Sequence, residues 1–357
     1  MYAFHRVKLT FQAVKNQDSD DQRPANNLPV VSNSETVSWG SDDRNLTASD
    51  LRGRITEARD AWLVRSPSLQ TRDAYSRDLA CFLSFICVPP DRLEVLASIR
   101  PNHIASYRDH LLARGLVNSS VVRKITVLRS LFSYLQTYGY TGKNPAHSDF
   151  VSAPAVPRDG KTVGLSPEDC RRLMDLPDVG FPVGIRDRAI LAVLAYSACR
   201  VGELVRLRIC DYRETGGHKV LEVFGKGGKE RRVPIHAEAV ERLEDWLTIS
   251  ATVDNSNGPL FRGTLTARGK GADGFKLTPL SKRAVQALVK QYARLAGLDP
   301  AVTVHSLRVT ALTTARERGA DIIDLQDFAG HSDPRTTLTY IRTRDRLSKS
   351  PAYVLRY

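Results

Sequence analysis

The 357-residue sequence has few cysteines and no long apolar run, and both shortages narrow the classes of protein it can be. Its five cysteines include no Cys-x-x-Cys pair and no neighbouring histidine at a zinc-ligand spacing. We therefore expect reduced, mostly buried thiols. The longest apolar run, Ala189 to Ala195, is far shorter than the about 18 residues of a membrane span, so no membrane segment is predicted.

Two kinds of motif are also missing from the sequence. Residues 1–10 contain no apolar segment followed by a small-residue cleavage site, so we predict a cytoplasmic protein rather than a secreted one. Neither a Gly-x-Ser-x-Gly elbow nor a cysteine in a recognisable triad is present. A serine or cysteine hydrolase is therefore disfavoured.

Positive charge, by contrast, is in excess. Lys and Arg number 52 against 39 Asp and Glu, which gives a net charge of +13. Residues 1–45 carry five basic and six acidic side chains, so residues 46–357 carry +14. Such an excess predicts an anionic polymer or an anionic membrane surface as the partner.

Apolar patterning divides the chain into four segments. Residues 1–45 are polar and turn-rich and are predicted to be poorly ordered. Residues 46–150 predict a helical bundle, with a first helix near 50–64. Three further stripes in it are Tyr75, Leu79, Phe82, Leu83 and Ile86; Ile104, Tyr107, Leu111 and Leu112 before Gly115; and Val121, Ile125, Leu128, Phe132 and Leu135. Residues 151–161, with two prolines and a glycine, predict a linker.

Residues 162–357 form the second predicted domain, which is also mainly helical. Ser166 to Asp169 has the pattern of a capped helix start with proline at the first position. The single clear strand signal is a hairpin, Val220–Phe224 and Arg231–Ile235, joined by a Gly-rich turn. A later helical stripe, Val285, Leu288, Val289, Tyr292 and Leu295, stops before Gly297.

Two short stretches could do chemistry, and each also has an ordinary structural reading. Glu203 lies three positions after Arg200, so the two can form a surface ion pair on a helix. Gly225 to Lys229 suggests a phosphate-binding loop, but Glu230 follows where Ser or Thr is required, and the context is strand-turn-strand. The alternative is an exposed basic hairpin tip.

The C-terminal part adds two histidines and a tyrosine. His305 and Arg308 lie three positions apart on one predicted helical face, where both side chains can contact one anion. His331 follows Gly330 at a turn, and Tyr340 comes nine residues after His331. Taken singly, such residues are more often a surface polar pair and a packing tyrosine.

Taken together, six of these residues resemble the catalytic signature of the tyrosine recombinases, the phage-integrase family. In chain order they are Arg200, Lys226, His305, Arg308, His331 and Tyr340. Residues 224–235 are similar to the family's lysine hairpin, and residues 319–340 to its C-terminal motif. The resemblance is specific over about residues 162–345 and looser over residues 46–150.

The sequence departs from the family pattern at three places without losing a catalytic side chain. The family commonly has Gly-Leu before its first arginine, where this chain has Ala198-Cys199. It has Leu before Gly-His, where this chain has Ala329, and often His after the second arginine, where this chain has Val309. These departures concern the subfamily more than the activity.

The resemblance implies phosphoryl transfer with no metal and no nucleotide cofactor. Tyr340 would attack a backbone phosphate to give a 3′-phosphotyrosyl link and a free 5′-hydroxyl. Arg200 and Arg308 would each present a two-pronged donor to the non-bridging oxygens, a task that suits arginine better than lysine.

The remaining members of the signature are expected to transfer protons or to orient the phosphate. Lys226 is the candidate general acid for the departing 5′-oxygen, and His305 is placed for proton transfer with Tyr340 or for a hydrogen bond to the phosphate. His331 would orient the phosphate. Glu203 is expected to be a structural partner of nearby groups rather than a catalytic acid.

The resemblance also implies a fold and partners. The expected fold is a helical core-binding bundle joined to a mixed α/β catalytic domain, together forming a C-shaped clamp on double-stranded DNA. A nucleoid-associated tetramer on two DNA sites, with accessory DNA-bending proteins and no membrane, is the expected assembly. The excess positive charge suits such a clamp and predicts binding that weakens with salt. Candidate phosphate contacts, each more often a solvated charge, are Arg123, Lys124, Lys282 and Arg283.

Two alternatives to a site-specific recombinase remain open from the sequence. A type IB-like topoisomerase would form the same covalent bond without a sequence-defined pair of sites. A catalytically silent DNA-binding protein would require a broken active set, whereas all six side chains are present.

Overall fold

The chain divides into two compact units, Met1–Pro157 and Arg158–Tyr357, in this computed structural model. The structure describes residues 37–39, 43–156, 162–225, 230–250, 256–265 and 274–340, with the backbone alone at 37–39, 43–46, 339 and 340. Each unit has its own apolar core. In the described part of the chain, no helix is both long and apolar enough to cross a membrane.

The first unit is mainly helical, as the apolar stripes predict. Its elements are β1 (Val37–Trp39), β2 (Asp43–Leu46), α1 (Ala48–Val64), α2 (Leu69–Phe85), a 3-10 helix (Leu93–Ser98), α3 (Pro101–Ala113) and α4 (Asn118–Thr137). All five predicted members of the α4 stripe are completely buried. Full burial of such side chains stabilises the fold by about 1.5–3 kcal/mol each, so this stripe makes a large contribution to the core of the bundle.

The end of α3 follows the predicted glycine signal, but one member of its stripe was misassigned. Gly115 adopts left-handed backbone with φ of +76°, and the N–H of Leu116 donates to the carbonyl of Leu111 at 3.2 Å, which closes the helix. Leu112 is 36% exposed rather than buried. It follows Leu111 directly and therefore lies about 100° around the helix from the core-facing stripe.

Two short strands fall inside the segment that the sequence predicts to be poorly ordered. β1 and β2 pair in antiparallel fashion, with Val37 opposite Leu46 and Trp39 opposite Asp43. Valine and tryptophan favour strands, but a run of three residues among polar neighbours gives no periodicity to detect. Residues 1–36 lie outside the described residues, so the expectation for them stays a prediction.

The second unit combines helices with two small sheets. Its elements are α5 (Pro167–Asp175), α6 (Pro182–Ser197), α7 (Val201–Leu204), a 3-10 helix (Ile209–Asp211), β3 (Tyr212–Thr215), β4 (His218–Phe224), β5 (Glu230–Pro234), α8 (Ala237–Ile249), β6 (Arg262–Thr264), β7 (Phe275–Pro279), α9 (Lys282–Leu295), α10 (Val304–Glu317), α11 (Ile322–Ala329) and α12 (Pro334–Tyr340). The predicted cap is present, since the Ser166 hydroxyl accepts from the N–H of Asp169 at 2.9 Å.

The predicted hairpin is confirmed, and it belongs to a larger sheet than expected. β4 and β5 pair in antiparallel fashion with Phe224 opposite Glu230, and β3 extends the sheet in the order β3-β4-β5. β6 and β7 form a separate pair. The sequence missed β3, β6 and β7 because these strands have three to five residues, mostly exposed or half-buried, and show no apolar alternation.

Helix α6 forms the centre of the second core. Its residues 189–194 are all completely buried, as the longest apolar run predicts, and α6 packs against α8 and α10. Trp246 on α8 is also completely buried, and its indole N–H donates to the Leu260 carbonyl at 2.7 Å, which satisfies the polar atom of that ring. This core supports the turn at the end of α6.

Two further expectations about burial are wrong. Leu295, the last residue of α9, is 62% exposed because the helix ends there beyond the core. Only Cys170 and Cys199 are buried among the five free thiols; Cys81 and Cys87 are exposed, and Cys210 is intermediate. Cys81 lies off the apolar stripe of α2 and therefore faces solvent.

Candidate active site

Arg200 lies in the turn between α6 and α7, and an unusual backbone conformation creates that turn. Ala198 ends α6 in left-handed backbone with φ of +50° and ψ of 22°, which a residue with a Cβ rarely adopts. The Ala198 carbonyl accepts a hydrogen bond from Nη1 of Arg308 on α10. The turn that carries Arg200 is thereby joined to the helix that carries Arg308.

The predicted ion pair of Arg200 and Glu203 is present, but its carboxylate is buried rather than on the surface. Arg200 Nη1 lies 2.9 Å from Glu203 Oε1, and the Arg200 backbone N–H donates to Oε2 at 3.0 Å. The Glu203 side chain is 3% exposed, against 41% for Arg200. Arg231 on β5 donates from Nη2 to the same Oε2 at 2.8 Å.

Glu203 remains ionised despite this burial. Burial by itself raises the pKa of the carboxyl group, but the hydrogen bonds from Arg231 and from the backbone and side chain of Arg200 lower the pKa to about 2. The carboxylate therefore stays a fixed negative charge between two guanidinium groups. This agrees with the expected structural role of Glu203.

Helix α10 supplies His305 and Arg308 at its N-terminal end. His305 is exposed, while Arg308, one turn later, is 1% exposed. Arg308 Nη2 donates to the Ala329 carbonyl at 2.6 Å. The pKa of His305 is lowered by partial desolvation and then by the positive charges of Arg308 and Arg200, so this ring is mainly neutral at pH 7.

His331 occupies the turn between α11 and α12 and is 6% exposed. Its Nε2 lies 2.7 Å from Arg308 Nη2, and its Nδ1 lies 2.9 Å from the hydroxyl of Thr337. Burial, followed by the charges of Arg308, Arg200 and Arg231, lowers the pKa of His331 to about 4. The ring is therefore neutral at pH 7.

The two contacts fix the tautomer of this neutral ring. A guanidinium only donates, so Nε2 of His331 accepts from Arg308. The ring proton must then lie on Nδ1, where it is donated to the Thr337 oxygen. Arg308, His331 and Thr337 therefore form a directed hydrogen-bond chain that ends on helix α12.

Tyr340 is the last residue of α12, three positions after Thr337. The structure describes its backbone and not its side chain. Thr337 is completely buried, so the hydroxyl that holds α12 against His331 lies inside the protein. The helix that carries the predicted nucleophile is thus attached to the helix that carries Arg308.

Lys226 lies outside the described residues, but the base of its hairpin is described. Arg206, which follows α7, donates from Nη2 to the carbonyl of Phe224 at 2.7 Å. Arg231 binds Glu203 from the other strand of the hairpin. Both strands of the hairpin are therefore joined to the segment that begins with Arg200.

Three residues of this site were missed by the sequence reasoning. Arg231 shares a strand face with the completely buried Val233, and that alternation could have indicated an inward-pointing side chain. Thr337 lies three positions before Tyr340, a spacing that places both near one helix face. Ala198 gave no signal, because alanine does not predict left-handed backbone.

The candidate DNA contacts fall into two groups. Arg123 and Lys124 on α4 both bind the buried carboxylate of Asp78, and Lys124 Nζ lies 2.9 Å from Oδ1. Lys282 and Arg283 are exposed at the first two positions of α9, as predicted. The Lys282 side chain also packs over Gly202 and therefore lies beside the Arg200 turn.

The described side chains come together from three separate segments of the chain. Arg200 and Arg308 both lower the pKa values of His305 and His331, which places all four groups in one electrostatic environment. Two guanidinium groups beside two neutral imidazoles form an anion site with built-in proton donors and acceptors. The arrangement is suited to binding a phosphate whose charge increases during reaction.

Comparison with known proteins agrees with this chemistry. Residues 164–346 match the Phage integrase family, and residues 44–139 match the phage integrase N-terminal SAM-like domain. Tyrosine recombinase XerC of Xanthomonas campestris pv. campestris (strain B100) is 32% identical over 278 residues, which cover 78% of this chain and 80% of the relative.

Two solved structures share the fold at lower identity. XerH site-specific recombinase, bound to a palindromic difH substrate after cleavage, has a TM-score of 0.59 at 20% identity and covers 82% of this chain and 80% of its own. A lambda integrase dimer bound to a COC′ core site has a TM-score of 0.60 at 17% identity, with coverages of 83% and 78%.

These matches define the class of protein. The chain belongs to the phage integrase family of tyrosine recombinases. It is a tyrosine-type site-specific recombinase, an enzyme that cleaves and rejoins DNA strands.

Proposed function

We propose that the chain exchanges DNA strands through a covalent bond between Tyr340 and a DNA 3′-phosphate. The phenolic oxygen of Tyr340 attacks the phosphorus of a backbone phosphodiester, and the bond from phosphorus to the 5′-oxygen breaks. The leaving 5′-oxygen takes up a proton and becomes a hydroxyl. Attack of a 5′-hydroxyl on the phosphotyrosyl bond then reverses the step and releases the tyrosine.

Arg200 and Arg308 are the proposed electrostatic part of this site. The side chain of Arg200 is partly exposed next to the buried Glu203 carboxylate, so it can meet a phosphate at the surface while its base stays fixed. Arg308 is held by backbone carbonyls of the two turns on either side of the site. Both would stabilise the charge that develops on the non-bridging oxygens.

Proton movement is assigned to the remaining members of the signature. Lys226 is the proposed general acid for the leaving 5′-oxygen. His305, which is exposed and has a lowered pKa, is suited to accept the proton of Tyr340 or to bind the phosphate. His331, predicted to orient the phosphate, contacts Arg308 and Thr337, so we propose that it acts on the phosphate by orienting Arg308.

One observation carries the proposal. Arg200, the pair of His305 and Arg308, and His331 come from three separate segments of the chain, and Arg308 joins these segments by its hydrogen bonds to the Ala198 carbonyl and to His331. The hydrogen bonds from Arg308 to His331 and from His331 to Thr337 attach α12, which ends at Tyr340, to Arg308. A set of surface ion pairs without a common function would not require this convergence.

The covalent intermediate explains how strands are rejoined without ATP. The phosphotyrosyl bond retains the free energy of the broken phosphodiester, so a 5′-hydroxyl can reseal the strand directly. Attack by the hydroxyl of a second duplex gives recombination. Attack by the original strand restores the starting DNA.

The proposed assembly is a tetramer that brings two duplex sites together, with each protomer closed around DNA as a C-shaped clamp. The net charge of +14 on residues 46–357 supports a polyanionic partner of this kind. Lys282, Arg283, Arg123 and Lys124 are the proposed phosphate contacts. Accessory DNA-bending proteins and a cytoplasmic, nucleoid-associated location belong to the same proposal.

Covalent capture of a nicked duplex tests the chemistry. The nick is placed so that the 5′-hydroxyl fragment diffuses away after cleavage, which traps the intermediate. We expect an SDS-resistant protein–DNA band with the unaltered chain and none with Tyr340→Phe, whereas Tyr353→Phe and Tyr357→Phe serve as matched controls. A band that persists in Tyr340→Phe and disappears in one of the controls would move the nucleophile and refute the assignment.

A further inference from the structure

Arg231 has contacts that the catalytic signature does not account for. It lies on β5, opposite Val223, next to the tip of the hairpin. Its side chain is 12% exposed, so the guanidinium is largely buried. A buried guanidinium requires compensating partners, and the identity of those partners indicates what the residue does.

The partners of Arg231 belong to two different turns of the active site. Nη2 donates to Glu203 Oε2 at 2.8 Å, and the other carboxylate oxygen of Glu203 binds Arg200. Nε donates to the carbonyl of Phe328 at 3.1 Å, near the end of α11. One side chain therefore connects the hairpin, the Arg200 turn and the segment that leads to His331.

Arg231 approaches the backbone of the His331 turn closely at Gly330. Gly330 has φ of +63°, and a Cβ at this position would lie 2.9 Å from Arg231 Nη1 and 3.2 Å from its Cδ. The first distance is shorter than real Cβ contacts and the second is tighter than most, so a larger residue would make the guanidinium shift. The backbone at Gly330 thus provides the space that Arg231 occupies.

We propose that Arg231 is a positioning residue that acts through Glu203 to set the guanidinium of Arg200 against the phosphate. This inference rests on the roles that were proposed above for Arg200 and His331. With Arg231 present, the Glu203 carboxylate is shared between two cations. Without it, Arg200 is the one arginine partner of Glu203 that remains among the described residues. The Glu203 carboxylate is 3% exposed, and its stronger pull withdraws Arg200 from the phosphate.

The test measures cleavage of a nicked duplex by the full-length chain at saturating DNA, with DNA affinity measured separately. A displacement of about 1 Å in a catalytic group can cost about 100-fold in rate, so we expect a loss of about 100-fold in Arg231→Met with affinity changed less than threefold. Arg231→Lys should recover part of the loss, because an ammonium group can still bind Glu203. Arg232→Met is the matched control, since Arg232 is the next residue of β5 and also binds a buried carboxylate, Glu222.

Two further measurements separate a positioning role for Arg231 from a role in proton donation. The double variant Arg231→Met/Glu203→Gln should lose less than the product of the single losses, because both residues act on Arg200. A substrate with sulfur in place of the bridging 5′-oxygen needs no protonation of its leaving group. We expect this substrate not to restore the rate of Arg231→Met; full restoration would show that Arg231 serves the general acid and would overturn the proposal.

The outcomes also distinguish this proposal from the function on which it rests. Cleavage by Arg200→Ala at the normal rate would refute the proposed function itself. Loss of cleavage in Arg200→Ala together with a normal rate in Arg231→Met would refute only the role of Arg231. If Arg231→Met unfolds below the assay temperature, Arg231→Gln decides, because it removes the positive charge and keeps a hydrogen-bonding side chain: a loss of about 100-fold supports the proposal, and a normal rate overturns it.

Discussion

The hydrogen bond from His331 to Thr337 gives a sharp test of the site's internal structure, through the substitution Thr337→Val. Thr337 is completely buried, and its hydroxyl is 2.9 Å from Nδ1 of His331. Valine has a similar shape, so the change removes the acceptor without opening a cavity. The Nδ1 proton then loses its hydrogen bond to the Thr337 oxygen in the protein interior.

The neighbouring arginine prevents the ring from relieving this loss. Moving the proton to Nε2 would place an N–H group against the N–H of Arg308 at 2.7 Å, which replaces one unfavourable contact with another. Leaving a buried donor unsatisfied costs about 1–3 kcal/mol. We therefore expect Thr337→Val to lower the free energy of unfolding by that amount.

Urea unfolding at pH 7.5 measures this difference, and Thr336→Val is the matched control. Thr336 is the preceding residue of α12 and is exposed, so the same chemical change there should alter stability by less than about 0.5 kcal/mol. Because α12 ends at Tyr340, we also expect slower cleavage of a nicked duplex by Thr337→Val. Equal stabilities of the two variants would refute the hydrogen-bond chain.

Three further predictions concern pH, the α6 turn and DNA binding. Since the pKa of His331 is lowered to about 4 in the folded chain and is near 6.5 when unfolded, its contribution to stability, about 3 kcal/mol, should be lost as the pH falls from 6.5 to 4. Urea unfolding across this range should show a flatter pH dependence for His331→Gln, and an unchanged slope would contradict the pKa. Ala198→Gly should maintain or raise the urea concentration at the unfolding midpoint, because glycine adopts left-handed backbone without strain. The control Ala192→Gly, in the middle of α6, should lower the free energy of unfolding by at least about 0.5–1 kcal/mol. Equal losses of stability in the two variants would argue against the turn geometry. Lys282→Ala and Arg283→Ala should each reduce the slope of log affinity against log salt by about 1, and slopes that do not change would remove these residues from the DNA contacts.

Local patterns predicted the parts of the fold that local forces determine. The α4 stripe from Val121 to Leu135 repeats at helical spacing, and its members are all buried because one face of a helix meets the core. The capped start at Ser166 depends on an interaction across three residues. The hairpin was visible because alternating strands flank a glycine-rich turn. By contrast, β6 and β7 are short strands whose residues are mostly exposed or half-buried, so apolar patterning does not reveal them.

The site shows a similar division between what the sequence reveals and what it does not. Arg200, His305, Arg308 and His331 were predicted because their order along the chain resembles the catalytic signature of the family. Arg231 was missed because its partner Glu203 is 28 positions away, and no local pattern pairs them. Arg123 and Lys124 show the converse limit, since the sequence shows two adjacent basic residues but not the buried partner that they share, Asp78, which lies 45 residues earlier than Arg123.

Arg308 is held in part by main-chain oxygens of the turns on either side of it. Its two carbonyl partners belong to Ala198 and Ala329, two of the positions at which this sequence departs from the expected family pattern. A carbonyl oxygen is present whatever side chain a residue carries, so the guanidinium keeps both acceptors with alanine at these positions. The position of the Arg308 guanidinium relative to these two turns therefore depends on backbone atoms and not on the side chains at positions 198 and 329.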